Sequence, residues 1–173
     1  PTNGITRTNS QLPVFDRFSK TIFHADQGGA DAWDPVHYLN IWIAPLGGTL
    51  GFAVFPGTAT DPTEDGIVVD PNYFGTIGLA TNAAPFHLGR TATHEIGHYF
   101  NLLHTFGDAG ENACEQDDGV ADTPLQGPPN FGTCPQYPQV TCGSSDMFMN
   151  FMNFANDACL SMFTPGQKTR VWA

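Results

Sequence analysis

Residues 94–104 read H-E-I-G-H-Y-F-N-L-L-H, and the spacing of the three histidines demands a break in the chain at a definite place. His94 and His98 are four apart, so on a helix both imidazoles project from one face. Two neutral imidazoles so placed can reach one Zn²⁺ at about 2.0–2.1 Å. His104 lies six residues past His98, and on a straight helix it would sit at six times about 100°, on the far side. It reaches the same ion only if the helix stops and the chain turns sharply. That turn needs a residue tolerant of left-handed backbone geometry, and the residue available is Asn101, second only to Gly in this respect. Glu95 points beside the metal, where a base must stand to take a proton from water. Three protein ligands leave a fourth position open for that water. The competing reading is an amphipathic helix with histidines on its polar face.

Around this segment, Ala92, Ile96, Phe100 and Leu103 recur at steps of three and four, which predicts a helix over 89–103 with those residues as its apolar face. Upstream, Tyr38–Ala44 is nearly continuously apolar and reads as a buried strand. Leu50–Phe55, between Gly47-Gly48 and Pro56-Gly57, reads as a second strand and Gly66–Asp70 as a third. Val14–Ile22 suits a short strand or helix, and Asp34-Pro35 starts a turn or short helix. His24, His37 and His87 lack ligand spacing and read as structural or surface residues; Trp33, Trp42 and Trp172 read as core or hinge packing.

After Thr105 the chain is rich in Gly, Pro, Asn and Asp until about Ser145, a long loop region that needs something other than a core to hold it. Cys114, Cys134, Cys142 and Cys159 all lie in the last third. Without a C-x-x-C pair they suggest two disulfides formed in an oxidising compartment, and spacing alone leaves all three connectivities open. Thr164-Pro165-Gly166-Gln167 has the form of a capping box opening a terminal helix.

Six basic residues face seventeen acidic ones, a formal charge of −11. Phosphate binding needs a basic face, so that balance argues against nucleic acid as a partner, and against an anionic membrane surface. Without 18 consecutive apolar residues, membrane insertion is not expected either. The acidity reads as solubility, or as calcium binding or attraction of basic peptides. No signal peptide is visible and the first residue is Pro1, so a processed or trimmed chain is expected.

The string H-E-x-x-H-x-x-N-x-x-H resembles the metzincin motif, in which Gly stands at the position of Asn101. Asn150-Phe151-Met152-Asn153-Phe154 resembles the Met-turn of those enzymes, with Met152 beneath the metal. G-R-T-A-T-H-E-I-G-H at 89–98, H-T-F-G-D at 104–108, D-D-G-V-A-D-T-P at 117–124 and F-T-P-G-Q at 163–167 make the chain similar to the pappalysin family of metzincin zinc metalloendopeptidases, and to the ulilysin-like catalytic domain within it. The resemblance implies an α+β, two-lobe metalloprotease fold over one catalytic domain, 1–173. The upper subdomain, 1–104, would carry a twisted mixed sheet and the active-site helix. The lower, 105–173, would be irregular and disulfide-linked, with His104, the Met-turn and the terminal helix. It implies the disulfides Cys114–Cys142 and Cys134–Cys159, and one or two structural calcium ions in the loop after Cys114. There Gln116, Asp117, Asp118, Asp122 and Thr123 offer the oxygen donors Ca²⁺ requires, and the family pattern adds a carbonyl near Ala121; the alternative is a solvated acidic turn.

The resemblance also implies that Gly51, Phe52 and Ala53 form the upper rim of the cleft, where an extended substrate adds antiparallel to the sheet edge; the alternative is an ordinary paired strand. Asp157 would stand in the wall of the pocket that follows the scissile bond and favour a basic residue, or else be a solvent-facing turn residue. Two departures carry consequences. Phe154 stands where the family has a Tyr whose hydroxyl stabilises the tetrahedral intermediate. The strand and helix that usually precede the region matching Pro1–Phe15 are missing, which predicts an open sheet edge with apolar surface, covered by the chain's own N-terminal segment or a pro-peptide, or left bare in a trimmed product.

The function expected is therefore a zinc-dependent endopeptidase, secreted or at the cell-envelope exterior, that hydrolyses extended protein substrates with Glu95 as general base. The alternative is a catalytically weak or inactive metal-stabilised binding module, which Phe154 favours and Glu95 opposes. A third reading is a zinc peptidase of another class with Glu111 or Glu115 replacing His104.

Overall fold

β-Branched and aromatic residues build three strands, β1 (Asn40–Ile43), β2 (Gly51–Ala53) and β3 (Gly66–Val69), in a computed structural model that describes residues 3–107 and 114–173. The strand order is β1-β3-β2, with β1 parallel and β2 antiparallel to β3. The central strand β3 is buried throughout.

Pairing puts Trp42, Val68 and Phe52 in one row across the sheet. This row packs on Phe15, Ile22, Phe23 and Leu46, with the Phe23 ring edge-on to Trp42 at 4.9 Å and to Phe52 at 6.2 Å. The Trp42 indole N–H donates to the Ala30 carbonyl at 2.7 Å, so the ring is buried without orphaning its donor. The segment expected as a strand or helix at Val14–Ile22 is instead a single bridge, Phe15 to Leu46, followed by a 3-10 turn at Thr21–Phe23.

Helix α1 (Arg90–Tyr99) lies on the opposite face, over β2 and β3. Gly51 lets it approach: a Cβ there would come within 2.9 Å of the Val68 carbonyl oxygen and 3.0 Å of Glu95 Cγ. The buried strand expected over Tyr38–Ala44 is corrected here. Only Trp42 is buried, while Ile41 and Ile43 are 41% and 48% exposed. They lie on the α1 side of the sheet, beyond the strands α1 covers, and β1 pairs only with β3 among the described residues. The apolar face read on the helix is likewise not the buried one. Thr91, His94, Glu95, Gly97 and His98 are buried, whereas Phe100 is 42% exposed, because α1 turns its functional face inward.

Beyond Thr105 the described residues contain isolated bridges and one helix, α2 (Pro165–Val171). Covalent links and buried polar pairs hold this part together. The disulfides are Cys114–Cys142 and Cys134–Cys159, as the resemblance implies; their sequence separations of 28 and 25 make each worth about 3–4 kcal/mol in the loop-closure picture. Asn150 and Gln167, both fully buried, exchange side-chain hydrogen bonds at 2.7 and 3.1 Å. The capping box forms as expected, with Thr164 accepting from the Gln167 N–H and Gln167 from the Thr164 N–H. Trp172, expected in core or hinge packing, is 81% exposed, since it follows the last turn of α2. No helix is long and apolar enough to cross a membrane among the described residues.

Candidate metal centre

The helix ends where the histidine spacing requires. Asn101 has φ 69°; its N–H donates to the His98 carbonyl and the Leu102 N–H to the Gly97 carbonyl, both at 2.9 Å, the two bonds of a Schellman cap. The same turn then orients a ligand, because the Leu102 carbonyl accepts from His98 Nδ1 at 2.7 Å. His94 Nδ1 donates to the Phe151 carbonyl, also at 2.7 Å. With Nδ1–H bonded to a carbonyl, each ring turns its Nε2 lone pair outward, the tautomer a metal ligand needs. Since Asn101 occupies the left-handed region, Asn101→Gly leaves thermal stability within about 1 kcal/mol of the parent. Asn101→Val costs about 1–2 kcal/mol, read as a fall of about 2–8 °C in Tm.

His104 comes back over α1 so that its Nε2 is 2.9 Å from that of His98 and 3.3 Å from that of His94. Tetrahedral Zn²⁺ at about 2.0–2.1 Å from each nitrogen sets neighbouring ligand nitrogens about 3.3 Å apart, so the three imidazoles fit one zinc ion. Burial, with His98 and His104 adding to it, holds the His94 imidazole well below the usual histidine range, in the neutral ligand form. This is the group of metal-competent side chains among the described residues. Glu115 is exposed and outside it; Asp108 and Glu111 lie outside the described residues.

Met152 is fully buried and fills the space left by Gly97 of α1, whose Cβ would meet Met152 Sδ. The Met152 N–H is held by Asn150 Oδ1 at 2.9 Å, and its carbonyl accepts from Thr105 N–H at 3.3 Å. The turn at Asn150–Asn153 thus fixes both the His94 carbonyl partner and the chain beside His104. Arg170 on α2 adds a clamp the sequence did not reveal: Nε donates to the Asn101 carbonyl at 2.7 Å and Nη1 to the Asp118 carbonyl at 2.8 Å.

Glu95 is buried beside the histidines, and burial pushes its carboxyl up to about 8, with the Arg17 charge opposing. The cleft has a volume of about 480 Å³. Gly51, Phe52 and Ala53 line one side, so β2 is an edge strand bordering the cleft. Phe154 lines the other, its ring 4.8 Å from His104 and 5.4 Å from His94. Phe86 and Phe131, from loops with no periodic signal, extend that wall. Asp157 also lines it but is not a solvent-facing turn residue. It is buried, and its Oδ2 accepts from the Leu88 N–H at 2.7 Å and the Arg90 N–H at 3.4 Å. Burial raises its carboxyl above the ordinary range.

In the loop after Cys114, Asp118 and Thr123 are buried together. Asp118 Oδ1 accepts from Thr123 Oγ1 at 2.6 Å and from the Val120 N–H at 3.0 Å, while Oδ2 is buried without a hydrogen-bond partner. Gln116, Asp117 and Ala121 are exposed on the same loop. Asp122 is otherwise engaged: its two oxygens accept from Thr164 Oγ1 and the Gly166 N–H, at the start of α2.

The family model described as pregnancy-associated plasma protein-A matches residues 23–173. The chain is 34% identical over 143 residues to an extracellular metalloprotease of Colletotrichum graminicola, matching 78% of this chain and 48% of that protein. It is 38% identical over 141 residues to one of Arthroderma benhamiae, matching 77% and 49%. The chain therefore spans about half the length of these relatives. Among solved structures it superposes on Tannerella forsythia mature mirolysin in complex with a cleaved peptide, with TM-score 0.92 and 41% identity over 98% of this chain and 64% of that one. It also superposes on a T. forsythia promirolysin mutant, with TM-score 0.89 and 40% identity over 98% and 56%.

Proposed function

The chain belongs to the pappalysin family, the peptidases described as pregnancy-associated plasma protein-A, and on that premise we propose that it is the catalytic part of a zinc-dependent endopeptidase acting on extended polypeptides. The observation that carries this reading is the convergence of three imidazole Nε2 atoms beside a buried carboxyl in an open cleft. His94, His98 and His104 would hold the metal, which supplies a Lewis acid that acidifies water and polarises a peptide carbonyl. Glu95 takes a proton from the attacking water and returns one to the leaving amine. The edge of β2 at Gly51–Ala53 offers backbone groups to a substrate lying antiparallel, so the main chain is gripped without regard to sequence. The residues up to 104 and those from 105 on act as the two subdomains of one catalytic unit, both of which line the cleft. Asp157, in the cleft wall with its Oδ2 held by the Leu88 and Arg90 N–H groups, would favour a basic substrate residue after the scissile bond.

The two disulfides and the naming of relatives as extracellular support a secreted or envelope-exterior protein. The mirolysin structures support two kinds of partner, a substrate peptide in the cleft and a pro-segment. The orphaned Asp118 Oδ2 supports a calcium ion held with Gln116, Asp117, Thr123 and the Ala121 carbonyl. Calcium at 100 times its dissociation constant should stabilise the fold by about 2.7 kcal/mol, and Asp118→Asn should abolish the rise in Tm; an unchanged rise would remove the site.

Casein cleavage is the test of the activity. Cleavage stopped by a zinc chelator and restored by zinc is expected. Zinc-loaded protein that leaves casein intact would favour the binding-module reading, which Phe154 supports.

A further inference from the structure

Two of the six basic residues, Arg17 and Arg90, line the cleft of a chain whose formal charge is −11. Arg90 lies 5.4 Å from the Phe151 ring at the start of α1. Arg17 comes from a loop with no other part in the site. That loop is built to present it. Phe15 is buried and bridged to Leu46, its N–H donating to the Pro45 carbonyl at 2.9 Å. Asp16 Oδ1 accepts from the Phe18 and Ser19 N–H groups, and Ser19 Oγ donates to the Asp16 carbonyl. The guanidinium lies 5.0 Å from the Phe18 ring, which restricts it without neutralising it. No ion pair or hydrogen bond engages its side chain among the described residues. Its field nevertheless reaches Glu95.

Arg17 lines the cleft together with Gly48 and Thr49, just ahead of β2, and the parallel bridge of Phe15 to Leu46 runs the segments carrying them side by side. A substrate antiparallel to β2 runs the opposite way, so the residues meeting this end are those that follow the scissile bond. We propose that Arg17 is a specificity residue that binds a substrate carboxylate on the C-terminal side of the scissile bond. Planar guanidinium and carboxylate groups make paired charge-assisted hydrogen bonds. The carboxylate comes from an Asp or Glu side chain or from the end of a short peptide. This inference rests on the peptidase reading only for the direction of the substrate.

The test reads binding, so it does not depend on turnover. Zinc-loaded Glu95→Gln protein is titrated with fluorescent hexapeptides carrying Glu, Gln or Lys at the second or third position after the intended bond, each with a free or an amidated C-terminus. Binding should favour Glu over Gln by about two- to fivefold, the range of partly exposed ion pairs, and the preference should shrink with salt. Arg17→Ala should abolish it, Arg17→Glu should turn it toward Lys, and Arg7→Ala, which removes an equal charge outside the cleft, should leave it intact. If the preference follows the free C-terminus instead, the chain end is the carboxylate bound. No charge preference in the parent, a preference that survives Arg17→Ala, or an equal loss in Arg7→Ala would each overturn the proposal. Loss of casein cleavage alone would instead count against the peptidase reading.

Discussion

Replacing Glu95 by Gln should leave zinc and fold in place and lower the turnover of a peptide substrate by about 10²- to 10⁴-fold, the contribution of a positioned general base. The substitution is nearly isosteric. In the metal-free protein burial pushes the Glu95 carboxyl up to about 8, so at neutral pH it is mostly uncharged there and an amide replaces it without a new buried charge. A bound dication works the other way. It favours the carboxylate and draws the pKa down, making the base available at neutral pH. The rate should therefore rise with pH as Glu95 ionises, along a limb lying below about 8 in the zinc protein, and that limb should be absent from the residual rate of Glu95→Gln. A variant as active as the parent would assign the base elsewhere.

Phe154→Tyr should raise turnover, by at least about 10-fold and toward the 10²- to 10³-fold that one donor to a developing oxyanion typically supplies. Phe154 already has the position. Its ring packs on His104 and His94, with Phe106 at 4.9 Å and Phe131 at 6.1 Å around it, and it lines the cleft. The aromatic framework for a Tyr is thus present and only the hydroxyl is missing. The gain should appear in kcat with KM little changed, because the new hydrogen bond forms as charge develops on the carbonyl oxygen. An unchanged kcat would mean that another group already stabilises that charge.

The helix carrying His94 and His98 was legible because the spacing of candidate ligands, unlike hydrophobic pattern, admits few backbones. The offset of four from His94 to His98 requires a helix, the offset of six from His98 to His104 forbids its continuation, and Asn101 at φ 69° is where the two demands meet. The Thr164 capping box was legible for a similar reason, since both its bonds are local. Burial was less so. The periodicity of Ala92, Ile96 and Phe100 marks an apolar face on α1, yet the face turned inward carries His94, Glu95 and His98. Packing against β2 and β3 is therefore done by the side of α1 that carries the site, not by its hydrophobic stripe. In Tyr38–Ala44 the sequence cannot say that α1 stops short of Ile41 and Ile43. The region after Thr105 has no period to read, because buried amides such as Asn150 and Gln167 and two disulfides hold it. Arg17 and Arg170 were invisible, since each acts across a gap in sequence that only the fold closes.

His94, His98 and His104 together should hold one zinc ion. The direct measurement is zinc stoichiometry and affinity, by metal analysis and competition with a chromophoric chelator, in the parent and in His104→Ala. One tightly held zinc per chain in the parent, and affinity lower by more than the 10- to 100-fold typical of losing a mere supporting partner in the variant, is the predicted result. Zinc held equally tightly without His104 would contradict it and place the third ligand elsewhere in the chain.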